Sequence, residues 1–386
     1  MNWFLDVHDA SLNKTGEELC GDKVKILKTD AKTMIVLSDG LGSGVKANIL
    51  ATLTAEIIIT MLRADVPLNE VIATVIGTLP ICRVRRLAYA TFTIIEINHA
   101  TNCFKVTNFD NPPVVYVRSG RSQALPSVSE QILGRTIHIA EGCLERGDFL
   151  AVVSDGVLHA GLGTTLNFGW GWANLARHIE RLFLYAAPAA RLVVEDIIRE
   201  VRTLYGSQVG DDATCVGVLV RERHSLIVFT GPPLDESTDS RHIERVLNFD
   251  GRRVVCGGTT GNLVATYLGE PIHTDLSTLR EDVPPIGLLH PIDLLTEGII
   301  TMARALELMQ DSQGNLYRLP HDRNGAVLLA RELLSADSIF FLVGQKINEF
   351  YQNPLLPRNL SIRRNLVEEI AKFLMLHKKE VKIEYC

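Results

Sequence analysis

The grouping of β-rich and helical segments limits the fold of the first half of this chain more than any other feature. Three β-like runs follow one another at residues 91–97, 103–108 and 114–118, separated only by short polar turns, and predict an antiparallel meander. Helical patterns at residues 172–185 and 189–205 follow as a second group. Segregated strands and helices are typical of α+β proteins, whereas a parallel sheet needs alternation of the two. We therefore expect an α+β domain.

The pattern changes after a charged Arg-Glu-Arg-His segment near residue 222. β-like runs at residues 225–230, 252–256 and 338–343 are then separated by helical patterns, which is typical of a small α/β domain. The length of 386 residues also favours two domains, at roughly 150 residues each. We predict two domains, residues 1–222 and residues 223–386. We expect the second domain to have a regulatory or docking role.

Charge and composition exclude several classes of protein. Lys and Arg total 39 against 45 Asp and Glu, which gives a net charge of −6, and there is no basic stripe with interleaved aromatic residues. Nucleic acid is therefore not expected as a partner. Hydrophobic residues at 46% and charged residues at 22% are ordinary values for a globular protein.

The apolar segments and the cysteines bear on where the chain resides. The most apolar stretch, residues 49–62, is interrupted by threonines and Glu56 and falls short of the ~20 residues that a membrane span needs, so it predicts a buried helix and no membrane partner. The N-terminus lacks the basic and apolar regions of a signal peptide. The cysteines are odd in number and form no C-x-x-C pair, so we expect all of them to be reduced, in a cytoplasmic protein. They are Cys20, Cys82, Cys103, Cys143, Cys215, Cys256 and Cys386.

Four aspartates carry the chemical signal, because each one stands at the end of a β-like run or beside a turn. They are Asp22, Asp39, Asp155 and Asp211. A carboxylate after a buried strand is held at the rim of a core, and an adjacent glycine would let a ligand approach the backbone. Like charges ~4 Å apart repel by about 4 kcal/mol at an effective dielectric of 20, so a cluster of carboxylates needs cations. Oxygen ligands select Mg²⁺ or Mn²⁺. Each motif alone is also an ordinary Asp-Gly turn.

Taken together, the motifs resemble a known family. Segments 21–22, 38–44, 152–156 and 210–214 read Gly-Asp, Ser-Asp-Gly-Leu-Gly-Ser-Gly, Val-Val-Ser-Asp-Gly and Gly-Asp-Asp-Ala-Thr. In this order they resemble the metal-dependent protein phosphatases of the type 2C (PPM) class, and within it the bacterial SpoIIE-like branch, over roughly residues 10–221. The resemblance implies two packed antiparallel β-sheets flanked by helices, and removal of phosphate from serine or threonine of a regulatory protein.

The resemblance also implies a set of metal ligands. Asp39 would bridge two Mn²⁺ or Mg²⁺ ions and the Gly40 carbonyl would be a further ligand, while Asp22 would help to hold one ion, and Asp155 and Asp211 the other. The role of the adjacent Asp212 stays open. Two ions lower the pKa of a shared water for in-line attack on a phosphate monoester, so no catalytic side chain beyond this water is expected.

Two features depart from the family pattern. Residues 109–113 read Phe-Asp-Asn-Pro-Pro where the family has Gly-His-Pro-Pro, so the histidine is missing. No phosphate-binding arginine is identified near the first acidic ligand. Lys14 is either its substitute or a solvated surface lysine.

Other functions are weaker alternatives. One is a degenerate phosphatase fold that binds phosphoproteins without catalysis. Another is a dinucleotide site, because residues 42–47 match G-x-G-x-x-A and Asp65 follows at a suitable spacing, although residues 47–63 read as one continuous helix. The loop at residues 257–261 is either a phosphate cradle or the glycine-rich start of a helix. Trp170 and Trp172 indicate either a contact surface near Asp155 or core packing. The sequence leaves the oligomeric state, including a homo-oligomer, open.

Overall fold

The computed structural model describes residues 3–78, 90–185, 189–346 and 359–386. The chain divides into two compact units, Met1–Glu222 and Arg223–Cys386. Cys82 lies outside the described residues.

The first unit combines antiparallel strands with long helices. Its elements are β1 (Trp3–Leu12), β2 (Asp22–Lys28), β3 (Lys32–Gly40), α1 (Gly44–Arg63), α2 (Leu68–Thr78), β4 (Ala90–Asn98), β5 (Cys103–Phe109), β6 (Val115–Arg118), β7 (Arg121–Gln123), β8 (Ser127–Ile132), β9 (Arg135–Cys143), β10 (Phe149–Val153), α3 (Asp155–Leu158), α4 (Trp172–Tyr185), α5 (Ala190–Tyr205) and β11 (Ala213–Glu222).

These strands form two sheets, in the order β1-β11-β10-β6-β7 and β2-β3-β4-β5-β9-β8. Strand β3 shows how the layers form, because successive side chains of a strand point to opposite faces. Ile35 and Leu37 pack with Val152 and Val216 of the other sheet in the centre of the sandwich. Met34, on the outer face of β3, packs against α1 and α2 instead. Helices α4 and α5 cover the five-stranded sheet in the same way. The expected α+β sandwich flanked by helices is confirmed.

The predicted three-stranded meander is wrong in its last strand. Strands β4 and β5 pair with each other, but β6 pairs with β10 and β7 in the other sheet. Residues 110–113, Asp-Asn-Pro-Pro, separate β5 from β6. Because proline has no N–H to donate to a strand ladder, the chain leaves the first sheet here and crosses to the second.

The cysteines do not all have free thiols, contrary to our expectation. Cys103 on β5 and Cys143 on β9 lie directly opposite each other and form a disulfide, with their Cα atoms 3.8 Å apart. Strand β9 was not predicted, so this pairing could not be expected from the sequence. Among the described residues, the free cysteines are Cys20, Cys215, Cys256 and Cys386.

Helix α1 is longer than the apolar stretch from which it was predicted. Its 20 residues make it, among the described helices, the one that by length and composition could cross a membrane, a test that a buried core helix also passes. Its inner face, which includes Ala55, Ile58 and Leu62, packs on the six-stranded sheet.

The second unit is an α/β domain. Its elements are β12 (Ser225–Thr230), α6 (Asp239–Leu247), β13 (Arg252–Cys256), α7 (Gly258–Leu268), β14 (His273–Asp275), β15 (Ile286–Leu288), β16 (Leu294–Thr296), α8 (Ile299–Asp311), α9 (Gly325–Ser335), β17 (Ser338–Val343), α10 (Asn359–Leu376) and β18 (Glu380–Tyr385). The strands form a mixed, mainly parallel sheet in the order β14-β15-β16-β13-β12-β17-β18. The smaller α/β domain is therefore confirmed.

Residues 257–261 lie at the junction of β13 and α7 in this unit, with Gly257 between the two elements and residues 258–261 in the first turn of α7. A Cβ atom added to Gly258 would lie 3.8 Å from the Glu297 carboxylate. A negative charge already lies beside the N-terminus of α7, where it interacts favourably with the helix dipole. This arrangement favours the structural interpretation of the loop over a phosphate cradle.

Asp148 is a buried carboxylate whose loss should destabilise the first unit. It is 1% exposed and accepts hydrogen bonds from the Tyr116 hydroxyl at 2.8 Å, the Glu145 N–H at 2.8 Å and the Arg118 guanidinium at 2.6 Å. Asp148→Ala leaves these donors unpaired, so we expect a loss of about 3 kcal/mol in the free energy of unfolding, at the lower end for a broken buried ion pair.

Urea unfolding followed by tryptophan fluorescence measures this loss, because all 3 tryptophans lie in the first unit. Glu141→Ala is the matched control, since Glu141 is 66% exposed and pairs with Lys105 on the surface, and it should cost less than about 1 kcal/mol. Equal effects of the two substitutions would contradict the assigned role of Asp148.

Candidate metal centre

Two of the four predicted aspartates face each other across neighbouring strands. Asp22 begins β2, Asp39 is the second-last residue of β3, and the two are direct partners in the antiparallel register. Asp22 is 5% exposed. Strands β2 and β3 therefore hold two carboxylates side by side at one end of the six-stranded sheet.

Ser154 links this pair to the other sheet. Its hydroxyl donates to Asp22 Oδ2 at 2.7 Å and accepts the backbone N–H of Thr214 at 2.9 Å. Asp155 follows Ser154 at the start of α3, and Asp211 shortly precedes Thr214. The end of β10 and the start of β11 therefore lie beside the first residue of β2.

Glycines next to the aspartates permit close contacts between backbones. A Cβ atom on Gly40 would lie 2.1 Å from the carbonyl oxygen of Ala47 on α1, and a Cβ on Gly156 would lie 2.0 Å from that of Asp212. The sequence-based expectation was that these glycines admit a ligand. The structure instead places protein backbone against them, so glycine is needed for packing at both positions.

The pKa values show that the four carboxylates interact. Burial, followed by the negative charges of Asp22, Asp155 and Asp211, raises the pKa of Asp39 to about 9. Burial also raises the pKa of Asp22 to about 6, although the hydrogen bond from Ser154 opposes this shift. The pKa of Asp211 is raised by burial and then by Asp155. All four predicted aspartates therefore lie in one electrostatic cluster.

The donor set fits a hard divalent cation. Asp22 Oδ1 is buried without a hydrogen-bond partner, which is costly for a polar atom unless a ligand satisfies it. The oxygen atoms of the four carboxylates and of the Gly40 carbonyl are the ligands that Mg²⁺ and Mn²⁺ prefer. Within the described ranges, no three acidic, histidine or cysteine side chains already have the arrangement of a formed metal site. Mutual repulsion explains why buried carboxylates do not converge by themselves.

Asp212 has a different environment from Asp211. Its Oδ1 accepts the backbone N–H of Lys14 at 2.9 Å, and its Oδ2 accepts that of Gly21 at 2.9 Å. Asp212 is 4% exposed, so both oxygens are engaged inside the protein. It fixes the segment before Asp22, a role that two adjacent acids in one motif could not reveal.

Two basic side chains lie beside the carboxylates. Lys14 is half-buried, and its charge lowers the pKa of Asp211 against the raising effect of burial. His159 Nδ1 lies 3.8 Å from Asp155 Oδ2 on the same helical turn. The sequence analysis did not assign His159 to the site, although a spacing of four residues on a helix was a signal for this contact.

Asn111 occupies the position of the missing family histidine. It is 9% exposed, accepts a hydrogen bond from Thr91 Oγ1 at 2.7 Å and donates one to Thr93 Oγ1 at 3.2 Å. Thr91 is the register partner of Asp39. A buried amide therefore supports the strand that carries the neighbour of Asp39.

The geometry disfavours the dinucleotide alternative. Asp65 follows the C-terminal end of α1, whereas Gly42 and Gly44 lie at its N-terminal end. A helix of 20 residues is about 30 Å long, too far for one nucleotide to span. Asp65 pairs with Lys32 at 2.7 Å on the surface.

Several solved structures are similar to part of this chain. The PP2C phosphatase domain of SpoIIE from Bacillus subtilis, with a fragment of its regulatory domain, is 19% identical, with a TM-score of 0.50 over 57% of this chain and 64% of that one. The RsbU and RsbW domains of Rv1364c from Mycobacterium tuberculosis are 15% identical, with a TM-score of 0.48 over 62% and 67%. RsbX in complex with magnesium is 20% identical, with a TM-score of 0.41 over 56% and 100%. The chain thus spans less than two thirds of the SpoIIE structure.

No curated protein matches the sequence. The family model "Stage II sporulation protein E (SpoIIE)" matches residues 29–221, which is half of the chain. Asp39, Gly40, Asp155 and Asp211 lie inside the matched segment and Asp22 lies just before it. The chain belongs to the SpoIIE family of PP2C-type protein phosphatases, and the resemblance seen in its aspartate motifs is confirmed.

Proposed function

We propose that the chain is a metal-dependent phosphatase that hydrolyses phosphoserine or phosphothreonine on a regulatory protein. The observation that carries this proposal is the environment of Asp39, which faces Asp22 across two strands and interacts with the charges of Asp155 and Asp211. Ionised carboxylates from four separate segments repel one another when they lie close together, so cations between them would stabilise the ionised cluster.

Five groups would hold the metal. Asp39 would bridge two Mn²⁺ or Mg²⁺ ions, with the Gly40 carbonyl and Asp22 on one side, and Asp155 and Asp211 on the other. When bound, the ions would supply a hydroxide nucleophile from water at neutral pH and would neutralise the phosphate oxygens. No other side chain need act as nucleophile.

The chain's own residues prepare these ligands. Because burial and the neighbouring carboxylates raise the pKa of Asp39 well above its usual range, the protonated form is favoured there, and a bound cation would displace this proton. Ser154 orients Asp22 through its hydrogen bond, and Asp212 holds the segment that leads into β2. Lys14, whose charge acts on Asp211, would supply a positive charge for a phosphate bound at the cluster.

The position of the centre suits a large substrate. The side chain of Asp155 is 50% exposed and that of His159 is 51% exposed, so one side of the carboxylate cluster opens to solvent. An open rim can receive a phosphorylated side chain displayed on a folded protein. We propose such a protein as the partner, a cytoplasmic setting for the reaction, and a regulatory or docking role for residues 223–386.

A non-catalytic phosphoprotein-binding module is the second candidate. Asn111 in place of the family histidine, with its amide fully engaged by Thr91 and Thr93, is the observation that favours it. The two candidates differ in how many cations the chain binds.

Asp39→Asn should reduce Mn²⁺-dependent hydrolysis of p-nitrophenyl phosphate by about 100-fold or more, because a neutral amide cannot replace a bridging carboxylate. Steady-state rates with and without EDTA measure this. Asp65→Asn is the control, because Asp65 is 81% exposed at the far end of α1, and it should retain full activity. Hydrolysis that survives EDTA or Asp39→Asn would refute the mechanism.

Titration of the metal-free protein with Mn²⁺ in a calorimeter should show two bound ions per chain. Two sites are expected because the carboxylates of Asp155 and Asp211 extend the cluster beyond the Asp22–Asp39 pair. A stoichiometry of one or zero would instead support the binding module.

Ser154→Ala should weaken Mn²⁺ binding by about 10–100-fold, because it removes the hydrogen bond that orients Asp22. The same calorimetric titration gives the affinity, and tryptophan fluorescence checks that the variant is folded. Ser129→Ala is the control. Ser129 lies on the exposed strand β8, and its hydroxyl forms a hydrogen bond with His138 on the neighbouring strand β9. Unchanged affinity in a folded Ser154→Ala protein would exclude this role.

A further inference from the structure

We propose that Phe168 is a docking anchor for the phosphoprotein substrate, which binds it through an apolar side chain near the phosphorylated residue. This inference rests on the phosphatase function proposed above. Phe168 is 91% exposed, more than any other large hydrophobic side chain in the described ranges. It lies on the loop formed by residues 159–171, which connects α3 to α4 and which we call the 159–171 loop.

The 159–171 loop is held in one conformation by its own hydrogen bonds. The N–H of Leu166 donates to the Gly161 carbonyl at 2.9 Å, and the N–H of Gly163 donates back to the Leu166 carbonyl at 2.9 Å. Thr165 Oγ1 donates to the carbonyl of Leu204 on α5 at 2.9 Å. A ring carried by such a loop loses little conformational freedom when a partner binds.

Both tryptophans beside Phe168 fasten the end of the loop. Trp170 is 6% exposed and packs in the core beneath the five-stranded sheet. Trp172 Nε1 donates to the Pro113 carbonyl at 2.9 Å, and the Gly171 N–H donates to that of Leu158 at 2.9 Å. Core packing, one of the two sequence-based interpretations of these tryptophans, thus describes Trp170. The exposed contact residue of this segment is Phe168.

Short contacts connect Phe168 to the metal centre. Its neighbour Gly169 is packed against the end of α3, since an added Cβ would lie 2.7 Å from the Leu158 carbonyl oxygen and 3.1 Å from the Cα of His159. His159 Nδ1 lies in turn 3.8 Å from Asp155 Oδ2. The backbone at Phe168 therefore lies beside the end of α3 that carries Asp155 and His159, at the open rim of the carboxylate cluster.

The chemistry of the loop identifies the kind of side chain that it fits. Exposed aromatic rings on rigid supports are typical binding hot spots. Leu162, 53% exposed, adds a second apolar side chain to the same loop. Because an extended peptide advances ~3.3 Å per residue, an apolar side chain about three to five residues from the phosphorylated residue could reach Phe168. We expect a leucine, methionine or aromatic residue there.

Kinetics on matched substrates test the inference. Wild type and Phe168→Ala are assayed with Mn²⁺ on p-nitrophenyl phosphate and on phosphoserine peptides that carry either leucine or alanine at positions three to five from the phosphoserine. We expect Phe168→Ala to raise KM about 10-fold for the best leucine peptide, in line with the loss of one buried apolar contact. The kcat for the leucine peptide should be unaffected, as should the kinetic constants for the alanine peptides and for p-nitrophenyl phosphate. Phe168→Trp should restore the low KM for the leucine peptide.

Val128→Ala is the matched control, because Val128 is 69% exposed on the edge strand β8 and its loss should change no KM value. An equal leucine-over-alanine preference in wild type and Phe168→Ala would overturn the inference. A change of oligomeric state in Phe168→Ala on size-exclusion chromatography, without a change in that preference, would also overturn it and would assign the ring to contacts between copies.

A binding measurement separates this inference from the proposed function. Fluorescence anisotropy of the labelled leucine peptide is measured on Asp39→Asn and on Asp39→Asn combined with Phe168→Ala. Weaker binding by the double variant supports the docking role even if wild type hydrolyses nothing, and equal binding refutes it. Failure of wild type to hydrolyse p-nitrophenyl phosphate with Mn²⁺ would refute the phosphatase function alone.

Discussion

Repulsion between buried like charges is the constraint on which the functional end of the first unit depends. Asp22 and Asp39 stand opposite each other on β2 and β3, and burial holds the pKa of Asp39 near 9. A fold gains nothing from such a pair, because each desolvated carboxylate is destabilising and each opposes ionisation of the other. The proposed metal ions would stabilise the pair, because a ligand of opposite charge offsets this repulsion and an oxygen-only donor set suits a hard cation.

The surrounding structure works to keep these charges together. Ser154 bridges the two sheets between Asp22 and the backbone of Thr214, while Gly40 and Gly156 allow backbones to approach where any side chain would collide. Asp212 uses both carboxylate oxygens on backbone N–H groups and so behaves as a structural residue. Asp212 thus binds the chain itself, while its neighbour Asp211 is left as a ligand for the proposed ion.

The sequence motifs predicted which aspartates lie together more accurately than the strand patterns predicted the two sheets. Asp39 and Asp155 were predicted because each follows an apolar run. A buried strand such as β10 is a continuous apolar run that is easy to recognise. Strands β1 and β2 were not predicted, since their side chains are mostly half-buried and mix charged with apolar residues. The transfer of β6 to the second sheet and the Cys103–Cys143 pair depend on long-range register, which no local pattern encodes. The hydrogen bond from Ser154 to Asp22 was not predicted for the same reason.

In the proposed function, the part of the chain that would perform chemistry is separate from the part that would select substrates. The carboxylate cluster is largely buried, and every change there disturbs several charges at once, so it tolerates little variation. The 159–171 loop lies outside it, and Phe168 contributes nothing to the core that a smaller side chain would destabilise. A rim residue of this kind can change with the partner while the metal centre stays fixed. The same fold can then serve different phosphoproteins, with specificity set by apolar contacts a few residues from a phosphate whose hydrolysis is identical in each case.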